Sequence, residues 1–398
     1  MVQADSVAKT VLDWFSINVP GKKHALNEYS VLAAFVVSNG DDIKVLSVGT
    51  GTKCLGRSSL CNDGYLIHDA HAEVTCRRAF LRYLYLNLHY NQQEESIFQK
   101  LPNGKFTLKP ACQLFLYVSE APCGDAALYD IKSDVLDDIH QQKLKRRKLN
   151  DQEVITIPCR TTGAKIAGVC EHSHERGLAR VKSGRSDLPP DKRTLSMSCS
   201  DKICKWLYCG LQGNLLSKWY SQINLSGIVV SVDTTSNSES FLDSIKKSLS
   251  RCEGTNILVS TSQLSFPLTK SLDTSTKTSA SGISLNWTYL HPTWKDPTSS
   301  PFYSSRDIEY LVGARGVKMG SKKVVDLKTK QKMGSRLARR KLYEAARSCS
   351  KSSELVASMT YQEFKAHQKD YVDKLANFKE LAPFKSWQGV PVQTKSFT

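Results

Sequence analysis

The pattern of apolar positions predicts that the first half of the chain is rich in β-strands. The apolar runs 31–37 and 43–49 flank the turn-forming residues 39–42, which predicts a β-hairpin. Continuous apolar runs at 112–119 and 226–233 are typical of buried strands. The chain therefore begins with a sheet.

Helical periodicity follows the first hairpin and dominates the end of the chain. Residues 71–90 predict a long helix, 122–125 a helix start after the strand, and 201–208 a further helix. From residue 331 onward helical patterns prevail. The apolar positions of the 71–90 helix, taken to mark its inward face, are Val74, Leu81, Leu84, Tyr85 and Leu88. This order favours an α/β class, with α+β as the alternative, in one large domain over residues 1–398.

Two stretches lack such patterns. Residues 140–195 are polar, basic and interrupted by Gly and Pro, which predicts an irregular insertion, and the Ser/Thr-rich residues 234–281 predict a surface excursion. No run of 18 apolar residues and no secretory signal are present. We therefore expect an intracellular protein of the cytoplasm or nucleus, without a membrane anchor and with no obligate protein partner indicated.

Charge narrows the class of partner. The 398 residues include 55 Lys or Arg and 38 Asp or Glu, a net charge of +17, with 40% hydrophobic residues. That apolar content excludes a chain disordered throughout, and the positive excess favours a polyanion such as nucleic acid. Residues 315–347 hold twelve cations and two acids; a solvated face is the alternative explanation. The basic run 143–148 is a weak match to a nuclear-localisation signal.

The pair His71 and Glu73 at a predicted helix start carries the first chemical signal. A zinc hydrolase needs His and Cys ligands, a position for water, and a carboxylate that is near the metal without binding it. Cys123, which follows a strand, supplies a thiolate, and a helix N-terminus there would stabilise it. Together these residues predict a base-deaminating zinc site.

The third ligand is less certain from spacing alone. Zinc deaminases carry Cys-x-x-Cys, but Ala126 stands where the second Cys is expected. Cys199 is preferred because it precedes a predicted helix, as Cys123 does. The alternatives are Cys159, Cys170, Cys204 and Cys209, the last two favoured as core thiols. A separate zinc site at Cys170, His172 and His174 matches no standard spacing.

Arg77 and Arg78 conflict with the apolar face of their helix. They fall three and four residues from Val74 and Leu81, so both would point inward. Unpaired buried cations are costly, and a buried polyanion would resolve the conflict, joined by Lys202 and Lys205 from the next helix. The alternative is a pair of arginines that snorkel to solvent or contact RNA at the rim.

Five ordered motifs together resemble the RNA adenosine deaminases, the family of adenosine deaminases acting on RNA and of eukaryotic tRNA-specific adenosine deaminases. The resemblance covers about residues 28–390. The motifs are VGTGTKC (48–54), DAHAEVTCRR (69–78), SEAPCGDA (119–126), RTTGAK (160–165) and SCSDKICKWLYCGLQG (198–213). The ordered set is far more specific than any one motif.

The resemblance implies a cytidine-deaminase-like mixed sheet flanked by helices, with a mainly helical C-terminal part. It implies zinc held by His71, Cys123 and Cys199, and Glu73 as the proton shuttle. It also implies a buried inositol hexakisphosphate, linked to the metal site through a relay of Asp69 and Lys165, and Thr52 and Lys53 beside the substrate. The implied contacts of the inositol phosphate are Arg77, Arg78, Lys202, Lys205, Trp206, Gln212, Lys330, Tyr361, Lys365 and Tyr371.

The position of the resemblance indicates the branch. It begins near residue 28, which leaves no room before it for a double-stranded-RNA-binding domain. We therefore expect a tRNA-specific enzyme that converts the adenosine immediately 3′ of the anticodon of alanine tRNA (position 37) to inosine, with residues 315–347 contacting the tRNA backbone. A deaminase of another RNA or of nucleosides, and an RNA-binding protein that has lost catalysis, are the alternatives. The net charge disfavours the nucleoside enzyme, and intact Glu73 disfavours the inactive protein.

Overall fold

The computed structural model describes most of the chain. Its described residues are 2–20, 27–90, 96–135, 160, 162–169, 171–182, 188–252, 254–255, 257–270, 278–292, 294, 308–321, 326–350 and 359–398. The basic run 143–148, Cys159, Cys170 and much of the predicted 140–195 insertion lie outside them. No helix in these ranges is both long and apolar enough to cross a membrane.

An eight-stranded mixed sheet forms the centre of the fold, with strand order β12-β11-β8-β2-β3-β14-β15-β16. The strands in chain order are β1 (Glu28–Tyr29), β2 (Leu32–Asn39), β3 (Asp42–Thr50), β4 (Thr52–Cys54), β5 (Asp69–His71), β6 (Phe98–Lys100), β7 (Phe106–Leu108), β8 (Cys112–Val118), β9 (Lys165–Ile166), β10 (Arg180–Val181), β11 (Gly227–Ser231), β12 (Leu258–Ser262), β13 (Ser279–Ala280), β14 (Ile283–Thr288), β15 (Glu309–Val312) and β16 (Val317–Lys318). The predicted hairpin (β2 and β3) and both predicted buried strands (β8 and β11) are confirmed.

The sheet changes character across its width. Strands β8, β11 and β12 run parallel, whereas β2, β3, β14, β15 and β16 pair antiparallel. Strands β8 and β11 are almost wholly apolar, as expected where both faces of a sheet are covered, whereas the edge strand β12 carries three hydroxyl side chains. Their carboxyl ends lie at one edge, which is where ligands bind in such sheets.

Helices cover both faces of the sheet. Within the described ranges they are α1 (Ala4–Asn18), α2 (Ala72–Tyr90), α3 (Cys199–Cys209), α4 (Gly213–Leu216), α5 (Ser238–Leu249), α6 (Leu327–Met333), α7 (Arg339–Cys349), α8 (Tyr361–Ala366) and α9 (Lys369–Glu380). Helix α1 packs on one face, with Val7, Val11 and Phe15 buried. Helix α2 packs on the other, beneath the C-terminal helices. The helical C-terminal part is confirmed.

Helix α2 is buried nearly all round, which corrects the predicted single inward face. Phe80 stacks on Phe35 of the sheet, with ring centroids 4.9 Å apart. Val74, Leu81 and Leu88 are only partly buried. A helix between a sheet and a helical layer has two packed faces, so one apolar stripe does not describe it.

Glycine allows the close contact between β3 and α2. A Cβ at Gly49 would lie 2.4 Å from the backbone nitrogen of Cys76, so a larger residue would push the helix off the sheet. This contact holds the start of α2 in place against β3.

Two local predictions are wrong. Residues 122–125 do not open an α-helix, because Gly124 has a φ of 107° and only a 3₁₀ turn, Asp125–Ala127, follows. The stretch 234–281 is not simply an excursion, since it contains α5 and the edge strand β12. Its Ser and Thr residues include Ser244 and Ser248 on the buried face of α5, so composition alone was misleading.

Candidate active site

Three elements bring the predicted ligands together. His71 ends β5, Cys123 lies in the loop after β8, and Cys199 begins α3. His71 Nδ1 lies 3.8 Å from Cys123 Sγ and 3.7 Å from Cys199 Sγ. All three potential ligand atoms lie within 4.8 Å of one another.

This donor set fits zinc. Tetrahedral zinc, with bonds of about 2.3 Å to sulfur and about 2.0 Å to nitrogen, places its ligand atoms roughly 3.5–3.8 Å apart. The two distances from His71 Nδ1 to the sulfurs agree with this spacing. Cys199 is the third member of the group, as preferred from the sequence. Cys204 and Cys209 are buried farther along α3, as expected of core thiols. Three protein ligands leave a fourth position for water.

A backbone N–H at the start of α3 contacts the sulfur of Cys123. Ser198 caps α3 by accepting a hydrogen bond from the Asp201 N–H. The backbone N–H of Cys199, at this helix start, donates a hydrogen bond to Cys123 Sγ, with the nitrogen 3.4 Å from the sulfur. A hydrogen bond from the Cys199 thiol lowers the pKa of Cys123, whereas burial raises the pKa of Cys199. Cys199 is therefore the cysteine at a helix N-terminus, whereas the sequence predicted a helix start at Cys123 as well.

Glu73 is the second residue of α2 and lies in the same pocket as His71 and Cys123. Its side chain is 3% exposed, and burial raises its pKa above the ordinary value. A carboxyl group with a raised pKa is suited to accept and return a proton near neutral pH.

The pocket of about 630 Å³ lies open above these residues. Thr52 and Lys53 line it, as predicted for residues near a substrate, and Thr52 pairs directly with His71 across β4 and β5. Thr52 Oγ1 is buried and has no hydrogen-bond partner among the described residues. An unpaired hydroxyl at the base of an open pocket is suited to hydrogen-bond a ligand.

Asp69 anchors a buried network beside the ligands, but its lysine is not the predicted one. Lys182 Nζ lies 2.8 Å from Asp69 Oδ2, and Lys202 Nζ contacts the same oxygen. Ser196 Oγ donates to Asp69 at 2.6 Å. Burial alone would raise the pKa of Asp69, but the two ammonium groups hold it well below the ordinary value. The relay of Asp69 with Lys165 is therefore wrong, and Lys182 takes that place.

Strand register explains the difference. Lys165 of β9 is paired with Val181 of β10. Opposed residues of an antiparallel pair share a face, and the next residue points to the opposite face. Lys182 therefore faces Asp69 while Lys165, also buried, does not share that face.

We expect Lys182→Met to lower the free energy of unfolding by about 2–3 kcal/mol, because it leaves the buried Asp69 with one cation fewer. Lys165→Met is the matched control and should cost half as much or less. Urea unfolding of both variants measures the difference. Equal losses would contradict the assigned pairing.

A second cavity, between α2 and the C-terminal helices, is strongly cationic. We call it the cationic cavity. Five cations and no carboxylate occur among the described residues that line it. The residues that the sequence predicted there are Arg77, Arg78, Lys205, Gln212, Tyr361, Lys365 and Tyr371, and Arg339 is an additional one. The predicted inward direction of both α2 arginines is confirmed.

The pKa shifts of the residues that line this cavity indicate an excess of positive charge that an anion would neutralise. Burial, with the neighbouring Arg77, lowers the pKa of Lys205 to about 7. Burial, with the charge of Arg339, lowers the pKa of Arg78 to about 10. Burial alone would raise the pKa of Tyr361, yet the surrounding cations lower it. Arg77 Nε is buried without a partner in the described structure. The residues present therefore fit a polyanion.

Three other predicted contacts differ in position. Trp206 stacks on Arg77, with the guanidinium carbon 5.2 Å from the ring centroid. Lys202 bonds Asp69, so its contact with the anion stays a prediction. The predicted contact of Lys330 with the inositol phosphate is wrong, because its ammonium pairs with Asp63 at 3.0 Å outside the cavity.

Arg339 was missed, although its signal resembles that of Arg77. It lies three and four residues before Leu342 and Tyr343, both buried on α7, so helical spacing places it on the inward face. Lys182 gave no such signal, since it lies in an irregular stretch.

The basic segment 315–347 is only partly available to a partner. Arg339 lines the cationic cavity, and Arg336 donates to the Asn286 backbone oxygen at 3.0 Å. Arg340 packs over Tyr65. Lys328 and Lys332 of α6 are exposed.

Cations surround the mouth of the catalytic pocket instead. Glu73 and Glu120 are the two acids among its described lining residues. Lys182, which also lines the pocket, is buried beside Asp69. The partly or fully exposed cations at the rim are Lys53, Arg160, Lys192, Arg193 and Lys270. Such a rim attracts a phosphate backbone.

The sequence matches one protein family, described as the adenosine-deaminase (editase) domain, over residues 47–391. It is 24% identical to tRNA-specific adenosine deaminase 1 of Mus musculus over 97% of this chain and 98% of the relative. It is 25% identical to the Homo sapiens protein of the same name, with the same coverage. It is 33% identical to the double-stranded RNA-specific editase Adar of Drosophila melanogaster over 58% of this chain.

Coverage differs between these relatives. The match spans 33% of the length of the Drosophila editase and 46% of the Drosophila tRNA-specific adenosine deaminase 1. It spans nearly the whole length of the mouse and human tRNA-specific proteins.

Proposed function

Because the chain belongs to the adenosine-deaminase (editase) domain family, we propose that it hydrolyses adenosine to inosine in tRNA, most specifically at the adenosine immediately 3′ of the anticodon of alanine tRNA. The observation that carries this proposal is the arrangement of His71, Cys123 and Cys199 beside a buried Glu73 in an open pocket with a cationic rim.

His71, Cys123 and Cys199 hold one zinc ion in this proposal. Bound zinc lowers the pKa of water and so supplies a nucleophile for C6 of adenine at neutral pH. The chain's own contribution is to keep both sulfurs and the imidazole within 4.8 Å of one another and to bury them.

Glu73 moves the protons. Its carboxylate takes one proton from the attacking water and delivers it to N1 of adenine, then takes the remaining proton from the new C6 hydroxyl and passes it to the leaving amine, so that water and adenosine become inosine and ammonia. Burial raises the pKa of Glu73 above its ordinary value, which favours its protonated form between the two transfers. Thr52, with its unpaired hydroxyl, and Lys53 hold the nucleotide against Glu73.

The tRNA branch is favoured by coverage and chemistry. The match to the mouse tRNA-specific relative extends over 97% of this chain, against 58% for the Drosophila editase. Bases of an anticodon loop are unpaired, so extruding one costs little.

The cationic cavity holds inositol hexakisphosphate in this proposal. Arg77, Arg78 and Lys205 of α2 and α3, with Arg339 and Lys365 of the C-terminal helices, would bind its phosphates. The anion would then join the C-terminal helices to α2.

The choice of substrate tests the proposed function. Purified protein is incubated separately with an alanine tRNA transcript, a perfect RNA duplex and free adenosine, and inosine is quantified after digestion. We expect inosine in the tRNA at a rate at least about tenfold above the other two. Faster conversion of the duplex would overturn the branch, and conversion of adenosine alone would overturn RNA as the substrate.

Zinc content gives a further prediction. We expect about one zinc ion per wild-type chain, and Cys199→Ala to lose it together with activity, because two remaining ligands bind zinc poorly. Cys204→Ala, five residues along the same helix, is the matched control and should keep the metal. Atomic emission on the purified proteins measures both. Full zinc in Cys199→Ala would refute the ligand set.

A further inference from the structure

A second opening lies beside the catalytic pocket, and we call it the side cavity. It has a volume of about 280 Å³, close to the lower end of roughly 300 Å³ for ligand sites. Glu120, Ala121, Arg160 and Lys270 line both the side cavity and the catalytic pocket, so they form a shared wall. An RNA strand that places one nucleotide in the catalytic pocket would therefore run past the side cavity.

The side cavity occupies a favoured place in the fold. It is lined by Ser119 after β8, by residues 231–235 at the end of β11, and by residues 265–267, 269 and 270 after β12. These are the carboxyl ends of three parallel strands, where open α/β sheets bind their ligands.

Arg160 fixes the shared wall. Its Nη1 donates to Tyr129 Oη at 2.6 Å and to the Asp233 carboxylate, and Tyr129 Oη donates to the same carboxylate at 2.7 Å. The guanidinium also packs over the Tyr129 ring. A charged group held by several partners presents a rigid surface rather than a mobile side chain.

Glu120 has acceptor capacity that its contacts with the described residues do not fill. Its side chain is 16% exposed, and Arg160 Nη2 lies 3.6 Å from Oε2. The Lys270 N–H lies 3.4 Å from Oε1. Both contacts are long for hydrogen bonds. A largely buried carboxylate in this state gains from an added donor, and the amino and imino groups of nucleobases are such donors.

The charges of the wall favour a base over a phosphate. Arg160 and Lys270 balance Glu120 and Asp233, so the side cavity lacks the excess of cations seen at the catalytic rim. Tyr29 stands next to this wall in the catalytic pocket, half-buried, with the Lys270 ammonium 5.8 Å from its ring centroid. Its ring offers a stacking surface between the two openings.

We propose that the side cavity holds the base of a nucleotide that flanks the target adenosine, with Glu120 accepting a hydrogen bond from an N–H of that base. This inference rests on the proposed function, because it requires an RNA strand in the catalytic pocket. Contacts of this kind set the sequence context of a deaminase.

Filling the side cavity tests the proposal. Ser265 is exposed and lines the side cavity but not the catalytic pocket, so Ser265→Trp fills the former alone, with Ser265→Ala as the matched control. Each protein is assayed on anticodon stem-loop RNA that is intact or abasic at the nucleotide 5′ or 3′ of the target. Wild type and Ser265→Ala should lose about tenfold in kcat/KM on one of the abasic RNAs, as expected for one lost base contact. Ser265→Trp should lose about tenfold on intact RNA and nothing further on that abasic RNA.

Two more variants guard against a misfolded protein. Thr234→Trp fills the side cavity from another wall and should repeat the result. Glu120→Gln should change the preference among the four bases at the flanking position. Kinetics of both tryptophan variants within twofold of wild type on intact RNA, or an equal further loss on the abasic RNAs, would overturn the proposal. If wild type converted no RNA, the proposed function would fail instead, and the affinities of the same proteins for intact and abasic RNA would still decide the side cavity.

Discussion

Replacing Glu73 by glutamine is expected to lower kcat for adenosine deamination by at least about a thousandfold, within the range for loss of a general acid and base. Glutamine preserves the shape of the buried side chain, which is 3% exposed, but it does not carry a proton. Zinc content and RNA affinity should stay unchanged, because Glu73 is not one of the three ligands and lies below the cationic rim.

Steady-state kinetics on tRNA, metal analysis and a gel-shift titration measure these three properties. Glu239→Gln, an exposed glutamate in the first turn of α5, is the control and should match wild type in all of them. A Glu73→Gln protein that retained a tenth of the wild-type kcat would show that another group carries the proton.

Removing the proposed anion from the cationic cavity is expected to lower the melting temperature by about 5 °C. An anion at a thousand times its Kd stabilises the folded state by about 4 kcal/mol. The unfolding entropy of 398 residues is about 0.8 kcal/mol/K, so this energy corresponds to roughly five degrees. Calorimetry of anion-free protein before and after addition of inositol hexakisphosphate measures the shift.

The pH dependence of the same protein has a defined sign. The pKa of Lys205 is lowered from 10.5 to about 7 in the folded chain. Between these values the unfolded chain binds more protons, so the stability of the anion-free protein should rise with pH from about 7 to 10.5, with the full penalty below pH 7. The bound anion favours the charged lysine and should flatten this rise.

The variant Lys205→Met distinguishes an effect of the cationic cavity from an effect of the net charge of the protein. It should stabilise the anion-free protein and reduce the gain from the anion, whereas Lys246→Met, an exposed lysine on α5, should change neither. Inorganic phosphate at the same concentration should give less than half the gain. No gain from inositol hexakisphosphate, or the same gain from Lys205→Met and wild type, would contradict a polyanion in this cavity.

Much of the candidate metal site was predictable because its signals are local. His71 and Glu73 fall together at a strand-to-helix junction, and Cys199 begins a capped helix, so short sequences fix their directions. The inward direction of Arg77 and Arg78 followed from helical spacing in the same way.

The errors arose where long-range packing decides. Lys165 of β9 is paired with Val181 of β10, and that register leaves Lys182, the next residue, to face Asp69. Lys330 and Arg339 both lie in the basic segment, yet Asp63, distant in sequence, pairs with Lys330. The turn at Gly124 replaced the predicted helix at Cys123 because its φ of 107° turns the chain away.

Reverse-transcription sequencing of unmodified alanine tRNA, after incubation with wild type and with Glu73→Gln, tests the central claim most directly. Inosine is read as G, so every adenosine is scored in one experiment. We predict a single converted site, immediately 3′ of the anticodon, with wild type and none with Glu73→Gln. A wild-type protein that carries zinc and binds this tRNA but converts no adenosine would contradict the account.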